Sequence, residues 1–285
     1  MDTLFSTTAV VGGLLVSSLS QAALVAVNLD ANPLNGHEVV FDTSLNISWL
    51  ADANIAASNH FGVSGINANG SMNWNTAQNF IAAMNSYNSG TGYLGINNWR
   101  QSLVAPIDGS LFSTSTITYD GSSDRGYQIS AAIDPVFNPS GQSAGFTGSE
   151  MAYHYYNNLA AIGACSGNGT TLGNCVSSTV YGVDDANNSA NLSLFNNLQN
   201  SVYWTGSELS ASGSTAFRFA NMLGLQDTAA KTANYYVMPV ADLSFGNYSD
   251  PIEQPVVPLP ATAWLFASAL TALAIIPRHQ RRSNY

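Results

Sequence analysis

The chain has 285 residues, of which 46% are apolar and 11% aromatic but only 8% charged, against roughly 25% charged in ordinary soluble domains. Its formal charge is −10, and between Ala23 and Val256 four Lys/Arg face sixteen Asp/Glu, which makes that body −12. Without clustered cations it excludes phosphate backbones, nucleic acid and anionic membrane surfaces as partners, and its aromatic content argues against a disordered chain.

The N-terminus carries an apolar run over residues 9–16 followed by small residues over 17–23. That pattern is a secretory signal with a cut after Ala22. No Lys or Arg precedes the run, and a buried first helix is the alternative. Next come Val39-Val40-Phe41-Asp42 and Asn46-Ile47-Ser48-Trp49-Leu50, two β-rich runs divided by a polar turn, the signature of a hairpin. Asn73 is placed to cap a helix over residues 74–84, where Trp74, Ala77, Ile81 and Met84 form one apolar stripe. Residues 85–95 then read as a Ser/Asn/Gly turn region.

A second helix is expected over residues 150–159. Ser149 is its N-cap, Glu150 suits the positive helix end, and Met151, Tyr155 and Leu159 share a face. Strand-like runs follow over 201–205, 216–220 and 235–240. Two helices among several short strands, without strand–helix alternation, predict an α+β fold rather than a doubly wound sheet. From Asn247 the chain is rich in Pro and acid, which suits a tether. Residues 261–276 are then apolar, about 24 Å as a helix against a hydrocarbon core of about 30 Å. Trp264 lies near one end of that run and Arg278, Arg281 and Arg282 near the other, as interface anchoring and the positive-inside rule require. A buried hydrophobic helix is the competing reading. Signal (1–22), body (23–246), linker (247–257) and tail (258–285) are the expected divisions.

Cys165 and Cys175 are the only cysteines, in a Gly/Asn/Thr-rich segment. In an exported chain this spacing favours a local disulfide, with free buried thiols or a metal pair as alternatives. Glu150 and Glu208 end twin Thr-Gly-Ser-Glu motifs. A carboxylate pair within about 10 Å could hydrolyse a glycosidic bond, so they are the weak catalytic candidates, and burial of either removes the reading. His154 lies one helical turn after Glu150 and could face a ligand with it, but no third metal ligand stands at suitable spacing. Asp120, Asp124, Asp184 and Asp185 offer hard oxygen ligands in loops, weak candidates for calcium; Asp/Asn clusters more often shape turns. No other cofactor is expected. Trp49, Trp74, Trp99 and Trp204 could stack on sugars, although most aromatics in such a chain must be core. Arg100 and Arg218, scarce cations beside aromatics, read as anchors for buried carboxylates or carbonyls. No Gly-x-Ser-x-Gly elbow is present.

Two resemblances extend this reading. Val257-Pro258-Leu259-Pro260-Ala261, followed by Ala263-Trp264-Leu265-Phe266 and the arginine cluster, resembles the VPLPA variant of the PEP-CTERM sorting signals. It implies export, an inner-membrane-anchored precursor with a transmembrane helix, and processing by an exosortase-type peptidase in bacteria that make extracellular polysaccharide. Residues 41–50, Met72-Asn73-Trp74-Asn75-Thr76-Ala77, Asn98-Trp99-Arg100, residues 148–153 and residues 202–208 resemble the Lcl C-terminal domain family, of largely unknown function. That implies a compact fold similar to C-type lectins and to formylglycine-generating enzymes, with binding of sulfated glycans in the wider family. With the tail, the low charge and the lack of an assembled active site, the expectation is an exported surface or matrix protein that binds a glycan or another matrix component and catalyses nothing. The chain departs from the family pattern after Arg100, where Gln101-Ser102-Leu103 replaces Leu-Pro-Thr, and after Pro239-Val240, where Ala241-Asp242 replaces arginine.

Overall fold

The computed structural model describes residues 24–30, 36–107, 111–112, 116–129, 132–133, 146–176, 181–210 and 213–243. The segments expected as signal, linker and sorting tail lie outside the described residues. Among the described residues no helix is long and apolar enough to cross a membrane.

The fold is α+β, with few helices and several antiparallel sheets. In chain order its strands are β1 (Leu24–Val27), β2 (Val39–Asp42), β3 (Ile47–Leu50), β4 (Trp99–Gln101), β5 (Val104–Ala105), β6 (Ala132–Ile133), β7 (Phe146–Ser149), β8 (Cys165–Asn168), β9 (Thr171–Cys175), β10 (Val202–Glu208), β11 (Thr215–Ala220), β12 (Leu225–Ala230) and β13 (Pro239–Ala241). The main sheet runs β1-β2-β3-β13-β4, so the last described strand sits between two early ones. The other sheets are β10-β11-β12, β5-β7-β6 and the hairpin β8-β9.

Helix α1 (Trp74–Gly90) begins where Asn73 accepts the Thr76 N–H and buries Trp74, Ala77, Phe80, Ile81 and Met84. It outlasts the expected residue 84 because regular helix persists until Tyr87, where ψ turns to 151°; Asn88 and Ser89 then enter the left-handed region. Helix α2 (Glu150–Tyr153) is capped by Ser149, which accepts the Ala152 N–H. The expected ten-residue helix is not regular: His154–Asn158 widens to a π turn in which the Leu159 N–H reaches the His154 carbonyl. Helix α3 (Ser189–Leu192) is a single turn capped by Asn188.

Trp49, Val240, Met238, Met151, Tyr155, Leu159, Tyr203 and Phe219 form the central core, which joins the main sheet to α2 and to β10-β11. The four tryptophans considered as sugar platforms are buried, between 0% and 7% exposed. Three of them spend the indole N–H on a backbone carbonyl: Trp74 on Thr205, Trp99 on Tyr93 and Trp204 on Met72. These rings hold the fold together, and of the four Trp99 also borders the cleft beside Arg100.

Cys165 and Cys175 pair across the exposed β8-β9 hairpin and are joined by a disulfide. A Cys165→Ser, Cys175→Ser chain should lose roughly 2–3 kcal/mol in the chain-entropy estimate for so short a loop. The readout is a lower urea midpoint at unchanged slope. An unchanged midpoint would mean that the hairpin contributes nothing to global stability.

Candidate functional site

The densest polar arrangement is built on Arg100. Strand β4 carries it at the edge of the main sheet, and all five guanidinium N–H groups find oxygen. Nη1 and Nη2 each donate to one Glu150 oxygen at 2.8 Å, Nε and Nη2 donate to Asp242 Oδ1 at 2.9 and 2.6 Å, and Nη1 also reaches the Gln101 carbonyl at 3.1 Å. Burial on its own would lower the Arg100 pKa; the Glu150 carboxylate, then Asp242, more than reverse this and hold the cation above its ordinary value. Glu150 is 6% exposed and also accepts the Leu103 N–H at 2.7 Å.

The twin Thr-Gly-Ser-Glu motifs flank one short segment, residues 102–105. On one side β5 pairs with β7, Val104 opposite Ser149, and the Glu150 N–H reaches the Leu103 carbonyl. On the other side the Gly206 N–H donates to Ser102 O, while the Ser207 hydroxyl accepts from Val104 N and donates to Val104 O. The second motif lies within β10, which continues through it with a bulge between Trp204 and Glu208. Glu208 itself faces Lys231 at 2.8 Å. Both glutamates are thus bound to cations, and Glu150 is buried in a structural clamp with no free carboxylate for acid–base work. The hydrolase reading falls on that burial.

Beside the clamp lies an open cleft of about 310 Å³ between α1 and β4, lined by Gln78, Ile81, Ala82, Asn85, Trp99, Arg100, Gln101, Leu103 and Gly206. Asn85 acts as a substitute strand partner, accepting the Trp99 N–H and donating to the Trp99 carbonyl at 2.8 Å each. The Gln101 amide is buried, and neither end is bonded to a protein group among the described residues. A Cβ on Gly206 would stand 3.3 Å from the Gln101 Cβ, so glycine keeps the cleft floor open. Arg100 is the one charge in the lining and its donors are spent. The cleft therefore presents neutral amides beside apolar carbons.

The remaining candidates are dispersed. His154 is 1% exposed, between Trp49 and Phe195 with ring centroids 4.8 Å from each, and burial pushes its pKa down to about 3. It is a neutral core ring and does not face a ligand with Glu150. Asp120 accepts from Ser122 and from the Gly169 N–H, and these bonds, the Ser122 hydroxyl first, hold it below the usual carboxylate range. Asp124 is 2% exposed and accepts the Ile107 N–H; Asp184 accepts from Asn200. The Asp185 side chain lies outside the described residues, as do Val257, Pro258, Leu259, Pro260, Ala261 and the three tail arginines. Among the described residues no group of three or more His, Cys, Asp or Glu is arranged to hold a metal.

Sequence reasoning missed Asp242, Gln78 and Asn85. Asp242 follows a strand and stands 142 residues from Arg100, a separation no local pattern reports. Asn85, read as the start of a turn, lies on α1 beyond the apolar stripe. The chain matches no family model, and neither a curated protein nor a solved structure matches it.

Proposed function

We propose that the protein is an exported surface or extracellular-matrix component whose C-type-lectin-like body binds a neutral glycan or another matrix component without catalysing a reaction. On this reading the precursor is held in the inner membrane by its tail, an exosortase-type peptidase releases it, and the mature chain meets polysaccharide outside the cell. The observation that carries the binding role is the distribution of charge. Arg100, Arg125, Arg218 and Lys231, the Lys/Arg of the described residues, each face a carboxylate within 4.0 Å, at Glu150 and Asp242, at Asp227, and at Glu208. No cation among the described residues is left to recognise sulfate or phosphate. From Ala53 to Trp99 the sequence holds no Asp, Glu, Lys or Arg and eleven Asn, and it supplies one wall of the cleft. An amide-rich, uncharged surface suits hydroxyl groups. The disulfide adds support for an oxidising compartment.

The test is to apply the purified protein to a glycan array and to the producing organism's own polysaccharide, with and without calcium. Binding to neutral glycans in either condition is the expected result. No binding in both overturns the glycan reading.

A further inference from the structure

Three aromatic rings that the sequence did not single out meet beside the C-terminal end of α1. Phe61, Tyr87 and Tyr93 stand edge to face, with centroids 5.4, 5.1 and 6.2 Å apart and interplanar angles of 78°, 69° and 71°. Phe61 leans on Phe80, which is fully buried, at 5.5 Å, so the group is seated on the core. Its outer side is open: Tyr87 is 49% exposed, and neither tyrosine hydroxyl has a hydrogen-bond partner among the described residues.

The backbone around these rings is strained. Phe61, Asn88, Ser89 and Leu94 all have positive φ, between 49° and 61°, and are half of the eight such non-glycine residues described. For Phe and Leu this conformation costs roughly 1–2 kcal/mol each. It is held by specific bonds: Asn59 accepts the Phe61 N–H, Tyr87 O accepts from Gly92, and Met84 O accepts from Tyr93. Strain of this kind persists where surrounding structure over-determines it, and it concentrates at ligand clamps and active sites.

We propose that Phe61, Tyr87 and Tyr93 form a stacking platform for a neutral pyranose ring of a polysaccharide. The inference rests on the binding role proposed above and names its surface and ligand class. The C–H face of a pyranose is apolar and meets the negative face of an aromatic ring well, while the two unpaired tyrosine hydroxyls reach its hydroxyl groups. The segments that carry the rings lie inside the stretch without Asp, Glu, Lys or Arg, and the charged groups acting on Tyr93 are the carboxylates Asp52 and Glu38, so no Lys or Arg there pairs with an anionic sugar. The −12 body disfavours the approach of anionic polymers within the screening length of about 10 Å. Three rings ringed by exposed Asn, Ser, Thr and Gly are too few for a protein interface, which buries about 800 Å² on each partner. The other exposed large apolar residues, Leu111, Ile162, Leu172 and Met222, belong to different segments.

The test compares the full chain with Tyr87→Ala and Tyr87→Phe by calorimetric titration against soluble neutral glucans, galactans and mannans, with a sulfated glycan as the counter-probe. Wild type should bind a neutral polymer, Tyr87→Ala should lose at least tenfold in affinity at unchanged melting temperature, and Tyr87→Phe should lose less. A second measurement needs no variant: saturating polysaccharide should block nitration of Tyr87 by tetranitromethane, read by mass spectrometry. If wild type binds a neutral polymer while Tyr87→Ala binds within twofold of it and Tyr87 stays open to nitration, the platform is wrong and the binding role survives. Binding confined to the sulfated probe overturns the platform and the neutral-glycan reading together. A wild-type dimer that Tyr87→Ala converts to monomer also overturns it and reassigns the patch to self-association. Failure of wild type to bind any glycan removes the broader reading, and the platform with it.

Discussion

An Arg100→Ala chain should be less stable than wild type by about 3–5 kcal/mol, the usual loss when one partner of a buried ion pair is removed. Glu150, 6% exposed, keeps only the Leu103 N–H against its charge, and Asp242 loses its bond to β4. Since a domain has only about 5–15 kcal/mol to lose, the variant should be extensively unfolded well below the wild-type melting temperature. Urea denaturation reads the effect, and two companions separate its causes. Arg100→Lys keeps the charge but cannot serve both Glu150 oxygens and Asp242, so it should recover only part of the loss. Arg100→Met combined with Glu150→Met leaves no buried charge, since the unpaired Asp242 is exposed to solvent, and should recover more than either single change predicts. A loss below about 1 kcal/mol for Arg100→Ala would mean that the pair behaves as an exposed one.

Acid should weaken the fold from pH 6.5 downward by up to about 1.4 kcal/mol per pH unit through His154 alone. Burial holds the folded-state pKa of this ring at about 3. The unfolded chain takes up the proton near the ordinary 6.5, the folded chain only near 3. The stability tied to neutral His154 is therefore complete above pH 6.5 and drains as pH falls through that window. Asp42 works in the opposite direction. Burial, against hydrogen bonds from Leu45, Asn158 and Ser44, raises its pKa, so its ionised form burdens the fold at neutral pH and protonation relieves that burden. The two groups share Asn158, which donates to Asp42 Oδ2 at 2.6 Å and lies 3.5 Å from His154 Nδ1. Urea midpoints at pH 7.5, 5.5 and 4.5 for wild type and His154→Phe isolate the histidine. The wild type should fall more steeply, and parallel curves would assign the acid sensitivity elsewhere.

What could be read from the chain was local. The β2-β3 hairpin and the Asn73 and Ser149 caps follow from neighbours a few residues apart, and each appears where the pattern puts it. Strand β12 was invisible because Leu225-Gln226-Asp227-Thr228-Ala229-Ala230 has neither alternation nor strong β formers; it is a strand because β11 pairs along its whole length. The run over 235–240 was read as one strand, yet only Pro239–Ala241 joins a sheet. Tyr235 and Tyr236 make single bridges to Met72 and Tyr203 instead. At the site, the scarcity of cations correctly made Arg100 an anchor, but its partners stand 50 and 142 residues away. The aromatic cluster escaped for the same reason. Phe61 and Tyr87 share no periodic pattern, and only the left-handed turns at Phe61 and Asn88 bring them together.

The place of β13 has a consequence for the order in which the fold can close. Strands β3 and β4 do not touch each other as partners; β13 lies between them, Val240 opposite both Trp49 and Arg100. A chain emerging N-terminus first therefore holds two open strand edges until residues 239–241 arrive, and the Asp242 side of the Arg100 clamp waits with them. Such long-range closure is slow. On the proposed export route the chain would gain from that delay, because its principal sheet cannot set before nearly all of the body has passed. The same delay makes shortened chains hazardous: any fragment ending before Pro239 carries an unfilled slot ready to accept a strand from a neighbour.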